Sequence, residues 1–341
     1  MPRLSRPFAL PGAALLALGL AACSPSSPDG AGGGSGDWTP VTVEHAFGET
    51  TIDTEPERVA TVNWANHEVP LALGIVPVGM AAADFGDDDG DGVLPWGEEK
   101  LQELDAETPV LFEETDGIDF EAVADTRPDV ILAAYSGLTR EDYDTLSEIA
   151  PVVAYPETAW GASWRETIQL NSRALGKEDE GEKLIADLEQ EIDAAVADHP
   201  GIEGGSAMFL THVDTTDLSE VSFYTTHDTR TMFFTDLGLE TPESIAAASE
   251  ETDRFSLTRS AEQADAFDDV DIIVTYGGDD LVETLEGDPL LSRMPAVADG
   301  AVVNLPGDSP LGTAANPTPL SISWVLDDYL SLLESAADGA K

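Results

Sequence analysis

The stretch PDVILAAYSGLTREDYDTLSEIAPVVAY, Pro128–Tyr155, decides the fold of this chain. DVILAAY is a short apolar run and reads as a buried strand. TREDYDTLSEIA reads as a helix, and PVVAY as the next strand. Strand, helix and strand in direct succession make a βα repeat. Strands that are apolar along their length, without alternation, belong to a parallel or mixed sheet covered by helices.

The same pattern extends in both directions. Upstream, TVEHAF and ETTID predict a hairpin, RVATVNW a buried strand, NHEVPLALG a helix closed by Gly74, VPVGMA a strand, and DFEAVADTRP a helix ending before Pro128. Downstream, residues 164–199 read as helical. Leu184, Leu188, Ile192 and Val196 recur there every four residues as one apolar stripe, and Gly176 and Gly181 predict a break or kink. That stretch is either an ordinary helix of one lobe or a rigid connector between two. After Pro200-Gly201, SAMFLTHV opens a second α/β unit. TRTMFFTDLG predicts a helix capped at Gly238, VDIIVTY a buried strand, LVETLEGDPLLSRMPAVADG helix and loop, and AVVNLP a late strand. PTPLSISWVLDDYLSLLESA predicts a last helix with proline in its first turn.

A length of 341 residues leaves room for two domains, and 42% hydrophobic residues with 6 Trp and 11 Phe is a globular composition. Lys and Arg number 15 against 67 Asp and Glu, a net charge of −52. Nucleic-acid binding is excluded on that balance, because no basic stripe exists to displace counterions. The acids are scattered and read as a solvated, self-repelling surface. At the start, Arg3 and Arg6 precede the apolar run FALPGAALLALGLAA, a targeting segment too short to span a bilayer comfortably. It ends Leu20-Ala21-Ala22-Cys23, which resembles a bacterial lipobox: cleavage before Cys23 and lipid on its sulfur. Cys23 is the only cysteine, so no disulfide forms within the monomer. Loss of residues 1–22 removes two positive charges and no acid, leaving −54. SPSSPDGAGGGSGD then reads as a flexible tether.

Two sets of residues invite a chemical reading. DDDGDGVLPWGE places Asp87, Asp89, Asp91, Gly92 and Glu98 at the spacing of an EF-hand calcium loop, with Leu94 at its apolar position and EEKLQEL as the following helix. Strand and coil precede it instead of a helix, and Pro95 stands where a ninth-position ligand belongs. Calcium clamp and plain acidic loop both stay open. No G-x-S-x-G, H-E-x-x-H or phosphate loop is present. The histidines at 45, 67, 199, 212 and 227 lack metal-ligand spacing, which leaves no set for direct zinc or manganese binding. His227-Asp228 and His212 with Asp214 read as satisfied surface groups, and no enzyme is expected.

DGVLPW, the DFEAVA…RPDVILAAYSGLT run, SWRE with ALGKEDEGEKLIADLE, and SFYTTHDTR followed by LGL together resemble the iron-siderophore members of the ABC-importer solute-binding proteins. The likeness spans about residues 41–335. It implies two α/β lobes joined by one long connecting helix, with ligand in the cleft between them and limited hinge motion. The expected divisions are signal peptide 1–22, tether 23–40, N-terminal lobe 41–163, connecting helix 164–199 and C-terminal lobe 200–341. Open α/β sheets bind ligands at the carboxyl ends of strands. Trp64, Tyr135 and Tyr276 follow strands, Tyr224 lies in the SFYTTHDTR loop, and Trp96 and Trp160 sit in loops opposite. These six are the expected aromatic contacts, with Arg230 the polar one, its guanidinium suited to hydroxamate or carboxylate oxygens around ferric iron.

The implied role is capture of a ferric siderophore by a monomer anchored through lipid at the outer face of the cell membrane, and delivery to a permease with its ATPase. Glu98, Glu99 and Glu243 are candidate docking acids. The negative charge favours a neutral or cationic hydroxamate complex over a trianionic tris-catecholate. Cobalamin or haem is the alternative ligand, and an anchored metal-dependent enzyme the alternative class.

Overall fold

The computed structural model describes residues 38–339. The targeting segment, Cys23 and nearly all of the tether lie outside them. The described chain opens with β1 (Val41–His45) and β2 (Gly48–Ile52), the expected antiparallel hairpin, which buries Val43 and Ile52.

Four βα steps and a closing strand follow: β3 (Val59–Thr61), α1 (Glu68–Ala72), β4 (Gly79–Ala81), α2 (Pro95–Glu103), β5 (Val110–Phe112), α3 (Phe120–Asp125), β6 (Val130–Leu132), α4 (Arg140–Ser147) and β7 (Val152–Val153). Their strands form one parallel sheet in the order β5-β4-β3-β6-β7. β3 and β6 are buried at every residue, as a sheet covered on both faces requires. The stretch that opened the sequence reading is the β6-α4-β7 unit. Thr139 and Asp142 form a reciprocal capping box that starts α4, fixing the chain's exit from the sheet.

The helical stretch divides into α5 (Trp164–Ala174) and α6 (Glu178–Asp198). The break falls at Gly176, whose φ of 65° favours glycine, as expected. Gly181 is a different case: it lies inside α6, where a Cβ would collide with Ser172 of α5. Its role is close helix contact and not a kink. α6, 21 residues and so about 31 Å long, buries Gly181, Ile185, Leu188 and Ile192, while Leu184 and Val196 only flank that face.

The second half comprises β8 (Ala207–Phe209), β9 (Glu220–Tyr224), α7 (Thr229–Asp236), α8 (Glu243–Ser249), β10 (Ser256–Ser260), β11 (Ile272–Gly277), α9 (Leu281–Gly287), α10 (Pro295–Ala298), β12 (Val302–Pro306), α11 (Pro310–Ala314) and α12 (Ser321–Gly339). β8, β11 and β12 form a parallel sheet in the order β12-β11-β8, beside an antiparallel β9-β10 pair. SFYTTHDTR is therefore strand before it is loop, because Tyr224 closes β9. The last helix starts at Ser321, so its prolines precede it.

One hydrophobic core runs across both halves. Trp96 of α2 meets Trp324 of α12 at 5.4 Å between centroids, and Ile168, Ile185, Phe234, Leu330 and Leu333 belong to the same cluster. Arg165 of α5 binds Glu189 of α6 at 2.7 Å and Asp236 of α7 at 2.9 Å. Helix α6 is thus one of several ties between the lobes. Among the described residues no helix is long and apolar enough to cross a membrane.

Candidate functional site

The strand order of the first sheet reverses between β3 and β6, and the crevice at such a reversal is where open α/β sheets hold ligands. The loops leaving these two strands carry Trp64 and Tyr135, and a buried asparagine fixes both. Asn66 donates to the carbonyls of Val62 at 2.8 Å and Tyr135 at 2.9 Å, and accepts from the Tyr135 N–H at 3.1 Å. Asn63 and Ala65, on either side of Trp64, hold φ of 57° and 59°. Such strain persists only where neighbours impose it. Here Asn63 binds the Glu114 carboxylate and accepts from the Gly137 N–H at 3.0 Å. Trp160, at φ 61°, donates its N–H to the Ser136 carbonyl at 2.9 Å. Its indole covers Gly137, where any Cβ would strike the ring, and meets Tyr135 edge-on at 5.4 Å.

The second lobe contributes a fixed cation. Asp228, fully buried, caps α7 through the Arg230 N–H and holds the Arg230 guanidinium by two further bonds of 2.8 Å each. The guanidinium lies 3.8 Å above the centre of the Tyr224 ring. Burial works against its charge, and Asp228 more than compensates, so Arg230 stays protonated. A surface ion pair would be mobile and screened, whereas this one is held between a buried carboxylate and a ring face.

Trp64, Tyr135, Trp160, Arg230 and Tyr276 line one open cavity of about 300 Å³ between the lobes. Burial pushes the Tyr135 phenol up to about 12 and raises that of Tyr276, so both are neutral hydrogen-bonding groups. Tyr224 serves from beneath, as the platform under Arg230. Trp96 stands apart. It is the second residue of α2, 4% exposed, with its indole N–H on Glu68 at 2.7 Å. The expectation that it reads ligand from a loop is corrected: its face is spent in the inter-lobe core.

Sequence reasoning missed Phe85, His212, Phe255, Thr313 and Asn316, which complete the lining. His212, read as a surface group beside Asp214, stacks on Tyr276 at 4.7 Å and meets Phe85 edge-on at 5.7 Å. Burial, then the Arg230 charge, holds its imidazole below the usual range. Its position after β8 was a usable signal, the same that marked Trp64; Tyr276, expected after its strand, lies within β11 near its carboxyl end. His227 bonds the Ser249 carbonyl instead of acting with Asp228. Thr313 Oγ1 and Asn316 Oδ1 are buried polar atoms without protein partners among the described residues.

Gly86 sets the distance between the lobes at this edge, since a Cβ there would run into Thr313. The acidic run follows directly. Carboxylate oxygens of Asp87, Asp89 and Asp91 approach within 4.8 Å of one another. Asp87 also accepts from the N–H groups of Gly90 at 2.8 Å and Gly92 at 2.7 Å, and the neighbouring acids raise Glu98 through its bond to Asp91. Strand β4 and coil precede the run where an EF-hand has its first helix, so the loop is not an EF-hand in its backbone.

Two α/β lobes with an aromatic cavity and one fixed cation between them define a binding protein for a bulky solute. The chain belongs to the periplasmic binding protein family, whose sequence profile matches residues 59–309. The crystal structure of PiaA from Streptococcus pneumoniae TIGR4 in complex with ferrichrome superposes with a TM-score of 0.85 at 46% identity, covering 88% of this chain and 100% of that one. The probable siderophore-binding lipoprotein YfiY of Bacillus subtilis (strain 168) is 27% identical over 248 residues, 71% of either chain. The Fe(3+)-citrate-binding protein YfmC of the same organism is 24% identical over 300 residues, 86% of this chain and 87% of that protein.

Proposed function

We propose that this protein is the substrate-binding component of an ABC importer and that its ligand is a ferric siderophore of the hydroxamate type. One observation carries the reading: aromatic faces from both lobes and a guanidinium locked by Asp228 converge on a single open cavity. Aromatic walls suit the apolar arms of an organic chelate, and the guanidinium fork suits the oxygens around the metal. The ferrichrome held by PiaA supports the hydroxamate class, and a mature charge of −54 agrees with it. Iron enters as cargo of the ligand and not as a resident cofactor.

Anchoring through lipid on Cys23, delivery to a permease and ATPase, and docking through acids such as Glu98, Glu99 and Glu243 complete the proposal. The relative named a lipoprotein supports the anchor. Helix α6 alone is proposed as the connector, with α5 as cover for the first sheet. For the acidic loop, calcium at Asp87, Asp89, Asp91 and Glu98 is retained at the millimolar affinity of extracellular sites. Calorimetric titration checks it, and absence of heat at millimolar calcium removes it.

The main test is quenching of tryptophan fluorescence by a neutral ferric trihydroxamate, a ferric tris-catecholate, cobalamin and haem. Saturable quenching by the trihydroxamate at the lowest concentration is expected. Tight binding of cobalamin, haem or the tris-catecholate without the trihydroxamate would overturn the reading.

A further inference from the structure

Behind the same two indoles, Trp64 and Trp160, a second pocket of about 260 Å³ opens within the first lobe. The loops after β3, β4 and β5 frame it. Three acidic side chains line it, those of Glu68, Asp84 and Glu114, and no lysine or arginine is among the lining residues. Glu114 is held in place by Asn63, through the backbone N–H at 3.0 Å and the side-chain amide at 2.9 Å. Burial raises its carboxyl, and the charge of Asp84 raises it further. A carboxylate partly removed from water beside a like charge is an unfavourable arrangement that a cation relieves.

Three other features point the same way. His67 lines the pocket at 7% exposure, and burial drives it down to about 4, so it adds no opposing charge; its Nδ1 has no partner among the described residues. Indole faces attract cations, and here two of them form the partition between this pocket and the main cavity. The pocket's carboxylates are also too far apart for a bare metal ion. Among the described residues the group of three such ligands whose atoms lie within 4.8 Å of one another is Asp87, Asp89 and Asp91, and Glu68, Asp84 and Glu114 form no such group. Spacing of this kind suits an extended organic cation.

We propose that this pocket receives an alkylammonium arm of the solute, with Glu114 and Asp84 as its acceptors, while the iron-bearing part of the same molecule lies against Arg230. This deepens the ferric-hydroxamate reading and rests on it. The two compartments then sort one ligand by charge: oxygen-rich metal centre toward the guanidinium, positive tail toward the acids.

The test uses two ferric complexes of one linear trihydroxamate, the first with a free terminal amine and the second with that amine acetylated. Fluorescence quenching gives the ratio of their affinities in the wild type, in Glu114→Gln and in Asp84→Asn. Asp84 is exposed, so its variant guards against misfolding of the Asn63–Glu114 loop. The amine complex is expected to bind the wild type at least tenfold more tightly than the acetylated one, and each variant to bring that ratio close to one. Equal affinity of both complexes for the wild type, or a ratio that survives both substitutions, overturns the ammonium pocket and leaves the ferric-hydroxamate reading standing. Failure of both complexes to bind overturns that reading, and the pocket's role falls with it.

Discussion

Glu68 is a carboxyl placed where a carboxylate is costly. It opens α1, is 1% exposed, and accepts from the Trp96 indole at 2.7 Å and the Leu320 N–H at 2.8 Å. Those donors favour the ion, yet burial outweighs them and pushes Glu68 up to about 7. The folded state therefore holds a proton that the unfolded chain releases near 4.5. Stability from this group is full below about pH 4.5 and is lost as pH rises toward 7, on the order of 3 kcal/mol in all. Urea denaturation of the wild type and Glu68→Gln at pH 5 and pH 8 should show the wild-type advantage shrinking at the higher pH; a constant difference would contradict the assignment. Arg230 poses the opposite problem, a cation that must not lose its partner. Arg230→Ala is expected to weaken trihydroxamate binding tenfold or more, about 1.4 kcal/mol. It also strands the buried Asp228, so the melting temperature should fall in the same variant. Arg230→Lys keeps the charge and loses the fork, and an intermediate affinity is expected of it.

At the scale of elements, the site is made by loops whose backbones are held in unusual conformations. Gly137→Ala tests this directly, because the added methyl meets the Trp160 ring and must displace it. Trihydroxamate affinity should drop severalfold while the melting temperature changes little; wild-type affinity would show that the indole is not a wall of the site. This level also marks how far the sequence was legible. Apolar runs announced β3, β6, β8 and β11, since near-complete burial leaves an unmistakable composition. The residues just past those strands, or at their carboxyl ends as Tyr276 is in β11, were legible for the same reason, which is why Trp64, Tyr135 and Tyr276 could be placed. Trp96 was misplaced because helix α2 starts at Pro95, and a helix turned its indole toward Trp324. Phe85 and Phe255 were not legible at all. They come from loops without periodicity, and only tertiary contact brings them to the cavity.

For the whole molecule, the dominant quantity is charge. At −52 the field repels an anionic chelate at long range and is indifferent to a neutral one. Association of a neutral ferric trihydroxamate should hardly change in rate between low salt and physiological salt. Any association of a ferric tris-catecholate should speed up as salt screens the repulsion. Stopped-flow quenching at two ionic strengths reads both, and slower uptake of the neutral complex at low salt would contradict the field argument. The two-lobe design was legible from the repeat of βα units on either side of a helical stretch. The packing between the lobes was not, because the Trp96–Trp324 contact and the Glu68–Leu320 bond join segments more than two hundred residues apart.

The core shared across the lobes has a consequence for resistance to proteolysis. Proteases need several residues of chain in an extended, freed conformation before they can cut. A receptor whose halves met only through a single linker would present such a segment each time it flexed. Here α2, α5, α6 and α12 all contribute to one core, so exposing a cleavable segment there means melting the common interior. The folded body should thus be digested at the pace of global unfolding, and a bound solute, by holding that interior shut, should lengthen its life.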